Sequence, residues 1–121
     1  MLIDGLRTLL DYFAGERHRH SDQRDSALAA LYGALNETKL YLERRDAGER
    51  DRGREEQLSR LWSAAAIPLR RFNADLAARC LEKSDFWVAP KRWFDDDVHS
   101  KRIDIDLLSN GAHALLLAGD R

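Results

Sequence analysis

The strongest pattern in the chain is a series of apolar positions, spaced three and four residues apart, between Glu55 and Glu82. This spacing places the apolar side chains on one face of an α-helix. We expect a single helix over this range, kinked at Pro68, because proline has no backbone N–H to donate to Ala64. A break near Asn73, with that residue or Asp75 capping a further short helix, is the alternative. The apolar face consists of Leu58, Leu61, Trp62, Ala65, Leu69, Phe72, Leu76 and Cys80.

The same periodicity predicts helices before and after this segment. A first helix over Ile3–Phe13 would end at Gly15, a residue type that favours helix C-termini. The polar segment Glu16–Asp22 either connects it to the next helix or continues it. A second helix is expected over Asp22–Asp46, ending near Gly48, and a fourth over Asp104–Ala118.

The predicted fold is all-α. No stretch shows the alternation of a strand, and four amphipathic helices with short connections are typical of an up-down helical bundle. We expect one domain over residues 1–121, with about four main helices. Apolar residues cover more than half of the circumference of the fourth helix, so we expect that helix to be the most buried.

An aromatic segment precedes the last helix. Pro90 and an acidic run argue against a continuous helix over Ser84–Asp97, so we expect an ordered loop laid over one end of the bundle. Aromatic side chains beside basic ones are typical of protein-binding hot spots. The alternative is that the aromatic rings pack onto the core. The candidate partner-binding residues are Phe86, Trp87, Lys91, Arg92, Trp93 and Phe94.

Charge and composition narrow the class of protein. The chain has 20 Lys and Arg residues against 21 Asp and Glu residues, and its pI is about 6.4. It therefore lacks the overall positive charge that is typical of nucleic-acid-binding proteins. We expect no signal peptide and no membrane span. The single cysteine, Cys80, is expected to be a small core residue, and the chain suits a reducing cytoplasm. Arginine outnumbers lysine, an association with GC-rich bacterial genomes.

The connection between the second and third predicted helices is highly charged. Residues Glu49–Arg54 alternate in sign and include Gly53, so we expect an exposed tip of an αα-hairpin. Acidic and basic residues around this tip nearly cancel. A phosphate-binding arm would have an excess of basic residues.

No motif in the chain predicts a metal or cofactor site. His18 and His20 are separated by Arg19, whose positive charge opposes a cation. The carboxylates of Asp95–Asp97, followed by His99, diverge on a regular backbone and favour a helix N-cap over a metal site. Nucleotide-binding loops and nucleophile elbows are absent from the sequence. We therefore expect no metal and no cofactor.

The spacing of Arg92 and His99 resembles the Arg…His motif of HEPN ribonucleases, which are also small helical bundles. The resemblance implies that Arg92 would stabilise phosphate charge and that His99 would act as acid or base. In that family a polar residue usually follows the arginine, whereas Trp93 follows it here.

The sequence favours a non-enzymatic interaction module, such as a small subunit, adaptor or regulator that binds a protein partner or itself. The observations behind this interpretation are the missing catalytic motifs, the aromatic segment and a helix face rich in small residues. Nucleic acid is disfavoured as a partner, and no membrane association is expected. An RNA-acting helical bundle that uses Arg92 and His99 is the alternative.

Overall fold

The computed structural model describes the backbone of residues 2–118 and the side chains of residues 19–118. This part of the chain contains helices and no strand, so the predicted all-α helical bundle is confirmed. No helix within residues 2–118 carries an apolar stretch of membrane-spanning length. The elements are α1 (Leu2–Asp46), α2 (Arg52–Leu69), α3 (Ala74–Val88), a 3-10 turn (Pro90–Arg92), α4 (Asp95–Ser100) and α5 (Ile105–Leu117).

Helices α1 and α2 form an antiparallel hairpin. At the hairpin tip, the Tyr41 hydroxyl lies 2.7 Å from the Glu55 carboxylate. At the other end, Arg71 lies 3.5 Å from Gln23. The predicted helical hairpin is therefore present. Gly48, at φ +93°, ends α1 as expected, because this left-handed conformation is one that glycine adopts without strain.

Helix α3 runs back along α2, and α5 packs against α1 and α3. Arg79 of α3 donates to the carbonyl oxygens of Arg102, at 3.0 Å, and Leu107, at 3.1 Å. A Cβ atom on Gly111 would lie 3.0 Å from Leu76 Cδ1. The missing side chain of Gly111 therefore allows α5 to pack closely against α3.

The core lies between α1, α2 and α3, with α5 on one side. Trp62 is fully buried, and its indole N–H donates to the Thr38 hydroxyl at 2.9 Å. That hydroxyl in turn donates to the Ala34 carbonyl at 2.7 Å. These bonds satisfy the indole N–H of Trp62 and the hydroxyl of Thr38, so burial leaves neither donor unpaired. Most of the predicted apolar face is buried, although Leu61 and Phe72 are only partly so.

The structure corrects the expected end of the first helix. Gly15 does not terminate a helix, and α1 is one helix of 45 residues. The alternative that Glu16–Asp22 continues the helix is confirmed. A glycine costs only about 1 kcal/mol relative to alanine inside a helix, so a helix can pass through one.

The single kinked helix predicted over 55–82 is wrong, and the alternative break at Asn73 is confirmed. Helix α2 ends at Leu69, one residue after Pro68, and a tight turn leads into α3. Asn73 has an extended backbone, with φ −158° and ψ 97°, and its side chain accepts from the Leu76 N–H at 3.0 Å. This bond caps one of the free N–H groups at the start of the helix.

The apolar pattern fits both arrangements for a physical reason. In a hairpin, the stripe of α2 and the stripe of α3 face each other instead of running along one axis. Leu58, Trp62 and Leu69 on α2, and Leu76 and Cys80 on α3, are therefore all buried.

Replacing Asn73 with alanine is expected to reduce the free energy of unfolding by about 1 kcal/mol, because α3 loses its N-cap. Asn36→Ala is the matched control, since Asn36 is exposed within α1 and caps no helix. Guanidinium denaturation followed by circular dichroism would measure both variants. Equal effects of the two substitutions would contradict the capping role.

The predicted aromatic loop is shorter than expected. Helix α3 continues to Val88, so Phe86 and Trp87 lie on its last turn. Pro90 opens the 3-10 turn that follows, consistent with its inability to continue the helix bonding. The N-cap expected among Asp95–Asp97 is also corrected: the N-cap residue of α4 is Phe94, and the Asp97 carboxylate accepts from the Phe94 N–H at 3.3 Å.

Helix α5 is not the most buried helix, contrary to expectation. Only Leu108 and Ala112 are buried on it, while Leu116 and Leu117 are 47% and 71% exposed. The helix lies at the edge of the bundle, against α1 and α3, so much of its circumference has no helix to face. Its predicted start is correct, because the Asp104 side chain accepts from the Leu107 N–H at 2.9 Å.

Candidate functional site

A basic groove lies where the α1–α2 hairpin tip meets the end of α3. Its volume is about 460 Å³. The floor of the groove is the short apolar segment 88–90. Basic side chains surround it, some from the hairpin tip and some from the 3-10 turn after α3. No acidic side chain lines it. We call this surface the basic groove; its lining residues are Arg50, Arg52, Val88, Ala89, Pro90, Lys91 and Arg92.

Arg52 joins the hairpin tip to α3. One guanidinium nitrogen donates to the Trp87 carbonyl at 2.9 Å, and the other donates to the Val88 carbonyl. These oxygens belong to the last turn of α3, where carbonyl groups have no partner within the helix. A guanidinium at a helix C-terminus also interacts favourably with the helix dipole. Arg52 therefore fixes one wall of the groove to the other.

Glu55 anchors the groove from below. The residue is fully buried, and its carboxylate accepts from the Tyr41 hydroxyl at 2.7 Å and from Arg52 at 3.1 Å. Arg50 adds a longer ion pair, with 3.6 Å between its Nε and the carboxylate. A buried carboxylate requires such partners, because removing its charge from water is costly.

Tyr41 links this ionic cluster to aromatic side chains. Burial, together with the hydrogen bond to Glu55, raises the pKa of the Tyr41 hydroxyl. Its ring meets Trp87 edge-on, with 5.6 Å between centroids. Phe86 contacts Trp87 at 4.9 Å and Trp93 at 6.0 Å. The aromatic side chains thus hold the groove walls from the core side.

The structure places the candidate binding residues at different depths. Trp87 is buried, at 1% exposure, and its indole N–H has no hydrogen-bond partner. Phe86 and Trp93 are half-buried. The residues open to a partner are Lys91, Arg92 and Phe94, and Phe94 is 76% exposed.

Two buried titratable groups, Lys83 and Cys80, lie on α3 before its last turn. Burial lowers the pKa of Lys83 to about 8, while nearby Asp104 partly opposes this shift. The Lys83 ammonium lies 4.5 Å from the Phe86 ring centroid, within the range of a cation–π contact. Burial raises the pKa of the Cys80 thiol to about 12. A thiol of that pKa is inert at neutral pH.

These two groups should give opposite slopes of stability against pH. From about pH 8 to about pH 10 the unfolded chain holds the Lys83 proton more tightly than the native state, so stability rises with pH. Above about pH 8.5 the unfolded chain loses the Cys80 proton while the native state keeps it, so stability falls. The free energy of unfolding of a Cys80→Ala variant should therefore rise by up to about 1 kcal/mol per pH unit between about pH 8.5 and about pH 10.

Guanidinium denaturation at intervals from about pH 7 to about pH 10 would measure these slopes. The free energy of unfolding of the wild type should vary little with pH above about pH 8.5. In the same interval, that of Lys83→Met should fall as the pH rises. A Cys80→Ala variant with no gain over this interval would contradict the burial of a charged Lys83.

Arg92 and His99 lie on separate elements. Arg92 ends the 3-10 turn and lines the basic groove, whereas His99 lies on α4 with its Nδ1 3.9 Å from Asp104. Both side chains are exposed. Arg92 and His99 therefore do not share a helix face.

The other candidate ligands have structural partners or lie outside the described side chains. The His20 ring contacts Phe72 at a tilt of 58°, with 5.1 Å between ring centroids, and His18 precedes the described side chains. Within residues 19–118, no three His, Cys, Asp or Glu side chains converge in a way that would hold a metal ion.

The sequence pattern does not indicate the hairpin-tip half of the groove. Residues 49–53 are exposed, as expected of the hairpin tip, and Arg50 and Arg52 among them also line the groove. The sequence does indicate a buried charge at this end of α2. Glu55 lies three residues before Leu58, so it occupies the preceding position on the buried face of the helix. A carboxylate at a buried position requires cationic or hydroxyl partners.

Comparison with known proteins finds no matching family, no matching curated protein and no matching solved structure.

Proposed function

We propose that this protein is a helical interaction module that binds a protein partner through the basic groove. The observation that carries the proposal is the set of four basic residues around an apolar floor: Arg50, Arg52, Lys91 and Arg92. Binding surfaces commonly combine an apolar centre with a charged rim.

The charge of the groove favours an acidic partner. Four basic residues and no acidic residue line it. Glu49 and Asp51 lie beside Arg50 and Arg52 on the hairpin tip, and Glu55 lies beneath, so the uncompensated positive charge is that of Lys91 and Arg92. No ion pair within residues 19–118 neutralises Lys91 or Arg92. Two cations are therefore available to a partner's carboxylates without breaking a contact within the protein.

Exposed apolar side chains extend the surface. Val88 is 58% exposed in the groove floor, and Phe94, two residues beyond Arg92, is 76% exposed. Exposed large apolar side chains beside arginine are typical of binding hot spots. The partner segment we propose is therefore acidic and carries at least one apolar residue.

Selection from a random peptide display library would test this proposal without assuming a sequence. Peptides rich in Asp and Glu with an apolar residue should be enriched on the wild type. The double variant Lys91→Glu, Arg92→Glu should bind the enriched peptides at least tenfold more weakly, because two favourable charge contacts become repulsive.

The matched control is Lys39→Glu, Arg60→Glu, which makes the same charge change at exposed sites on α1 and α2. It should bind the enriched peptides within about twofold of the wild type. Enrichment of basic or uncharged peptides, or equal losses in both double variants, would contradict the proposal.

The ribonuclease alternative predicts a different result. The position of Arg92 in the basic groove is compatible with a phosphate contact. Under that alternative, the wild type cleaves RNA, and the pair Arg92→Ala, His99→Ala abolishes cleavage. The separation of Arg92 and His99 onto two elements supports the binding module instead.

A further inference from the structure

A second pocket lies at the opposite end of the α1–α2 hairpin from the basic groove. It has a volume of about 390 Å³ and is formed by α1, the end of α2 and the turn between α2 and α3. This volume lies within the range of small-molecule binding sites, about 300–1,000 Å³. At about 1.5 Å per residue, the length of α2 separates the two sites by about 25 Å. We call this second site the turn pocket.

One wall of the turn pocket is apolar. It consists of Ile67 and Pro68 at the end of α2 and of Phe72 in the turn. Ile67 is 61% exposed, and Pro68 and Phe72 are half-buried. The His20 ring contacts Phe72, with 5.1 Å between centroids, which helps to fix this wall. A ligand with an apolar body therefore removes exposed apolar surface from water when it enters the pocket.

The other walls carry charges of both signs. Asp22 of α1 and Arg70 and Arg71 of the turn line the pocket, and the Arg71 guanidinium lies 3.5 Å from the Gln23 side-chain oxygen. Asp22 and Arg70 have opposite charges, yet neither forms an ion pair with the other or with any further residue within residues 19–118. A ligand can therefore contact both charges without breaking an ion pair in this part of the chain.

We propose that the turn pocket binds a free amino acid with a large apolar side chain. The α-carboxylate accepts hydrogen bonds from the Arg70 guanidinium, whose parallel N–H groups match the geometry of a carboxylate. The α-ammonium donates to the Asp22 carboxylate, and the apolar side chain covers Ile67 and Pro68. This inference does not depend on the basic groove or on its partner.

The two unpaired charges favour a zwitterion over an apolar ligand with a single charge. An apolar carboxylate would pair with Arg70 and cover Asp22 with its apolar body, and an apolar amine would do the same to Arg70. Covering a charge without giving it a partner is unfavourable. An apolar wall beside two opposite charges therefore fits a ligand that carries both charges at one end, as an α-amino acid does.

Titration of isotope-labelled protein with L-leucine or L-phenylalanine, followed by nuclear magnetic resonance, tests the binding. The amide signals of Asp22, Ile67, Arg70 and Phe72 should shift and saturate. We expect a Kd on the order of 1 mM, because an open pocket covers only part of a small ligand. The absence of a saturating shift up to about 20 mM, or shifts confined to residues outside the turn pocket, would overturn the proposal.

Three ligands that each lack one feature of leucine test the individual contacts. Isocaproate lacks the ammonium group, isoamylamine lacks the carboxylate, and glycine lacks the apolar side chain. Each should bind at least about tenfold more weakly than leucine, because one part of the pocket loses its partner. Isocaproate that binds as tightly as leucine would assign the pocket to apolar carboxylates and would overturn the proposal.

Substitution of the two charges tests where the amino acid binds. Asp22→Asn and Arg70→Gln should each weaken leucine binding by about tenfold or more, because each removes a charged contact. The matched controls are Asp85→Asn and Arg60→Gln, which make the same charge changes at exposed residues outside the pocket. The controls should stay within about twofold of the wild type. Equal losses in the pocket variants and the controls would contradict binding in the turn pocket.

Discussion

Replacing Trp62 with alanine is expected to lower the free energy of unfolding by about 3–5 kcal/mol. Trp62 is fully buried, so the substitution leaves a cavity in the core and removes a large apolar surface from it. The substitution also removes the donor that bonds to the Thr38 hydroxyl. An effect of this size is a large part of the stability of an ordinary small protein.

The matched control is Trp93→Ala, which removes an identical side chain from a half-buried position outside the core. It should cost about 1–2 kcal/mol, because less apolar surface is lost. Guanidinium denaturation followed by circular dichroism would measure both variants. If Trp93→Ala costs as much as Trp62→Ala, the account of the core is wrong.

Replacing Glu55 with alanine should cost about 2–3 kcal/mol. Breaking a buried ion pair usually costs 3–5 kcal/mol, at about the upper end of single-residue effects. The expected loss is smaller here because Arg50 and Arg52 are 48% and 46% exposed and can turn to water. The buried Tyr41 hydroxyl loses its acceptor, which accounts for about 1–3 kcal/mol.

Glu56→Ala is the control, since Glu56 is the exposed neighbour of Glu55 on α2. It should change stability by less than about 0.5 kcal/mol. A double-mutant cycle of Tyr41→Phe with Glu55→Ala should give a coupling energy of about 1 kcal/mol or more. A coupling near zero would show that the 2.7 Å hydrogen bond contributes little.

The sequence predicted where helices form better than how they are arranged. The apolar stripe from Leu58 to Cys80 was correct as a set of mostly buried positions, since only Leu61 and Phe72 are partly exposed. It could not distinguish a kinked helix from a hairpin, because both bury the same face. The deciding feature was local: the Asn73 side chain caps α3. For α5, the apolar content of the sequence predicted more burial than the structure shows. Apolar content alone does not determine how many neighbouring helices cover a helix.

The sequence pointed to one segment as a candidate surface and left open whether its aromatic rings are exposed. Of its six residues, Lys91, Arg92 and Phe94 are exposed, whereas Phe86, Trp87 and Trp93 pack onto the core. The opposite wall of the groove could not be found this way, because Arg52 contacts the Trp87 carbonyl across 35 positions of sequence. Local patterns carry no information about such contacts. Only the buried position of Glu55 hinted at them.

The most direct test of the proposed function is a nuclear magnetic resonance footprint of an acidic peptide. The probe is a short peptide in which glutamates flank a Leu–Phe pair, titrated into isotope-labelled protein. We predict that the amide signals of Arg50, Val88, Lys91 and Arg92 shift, while the lysine analogue of the peptide shifts none of them. Signals that move equally with both peptides, or only away from the basic groove, would contradict the account.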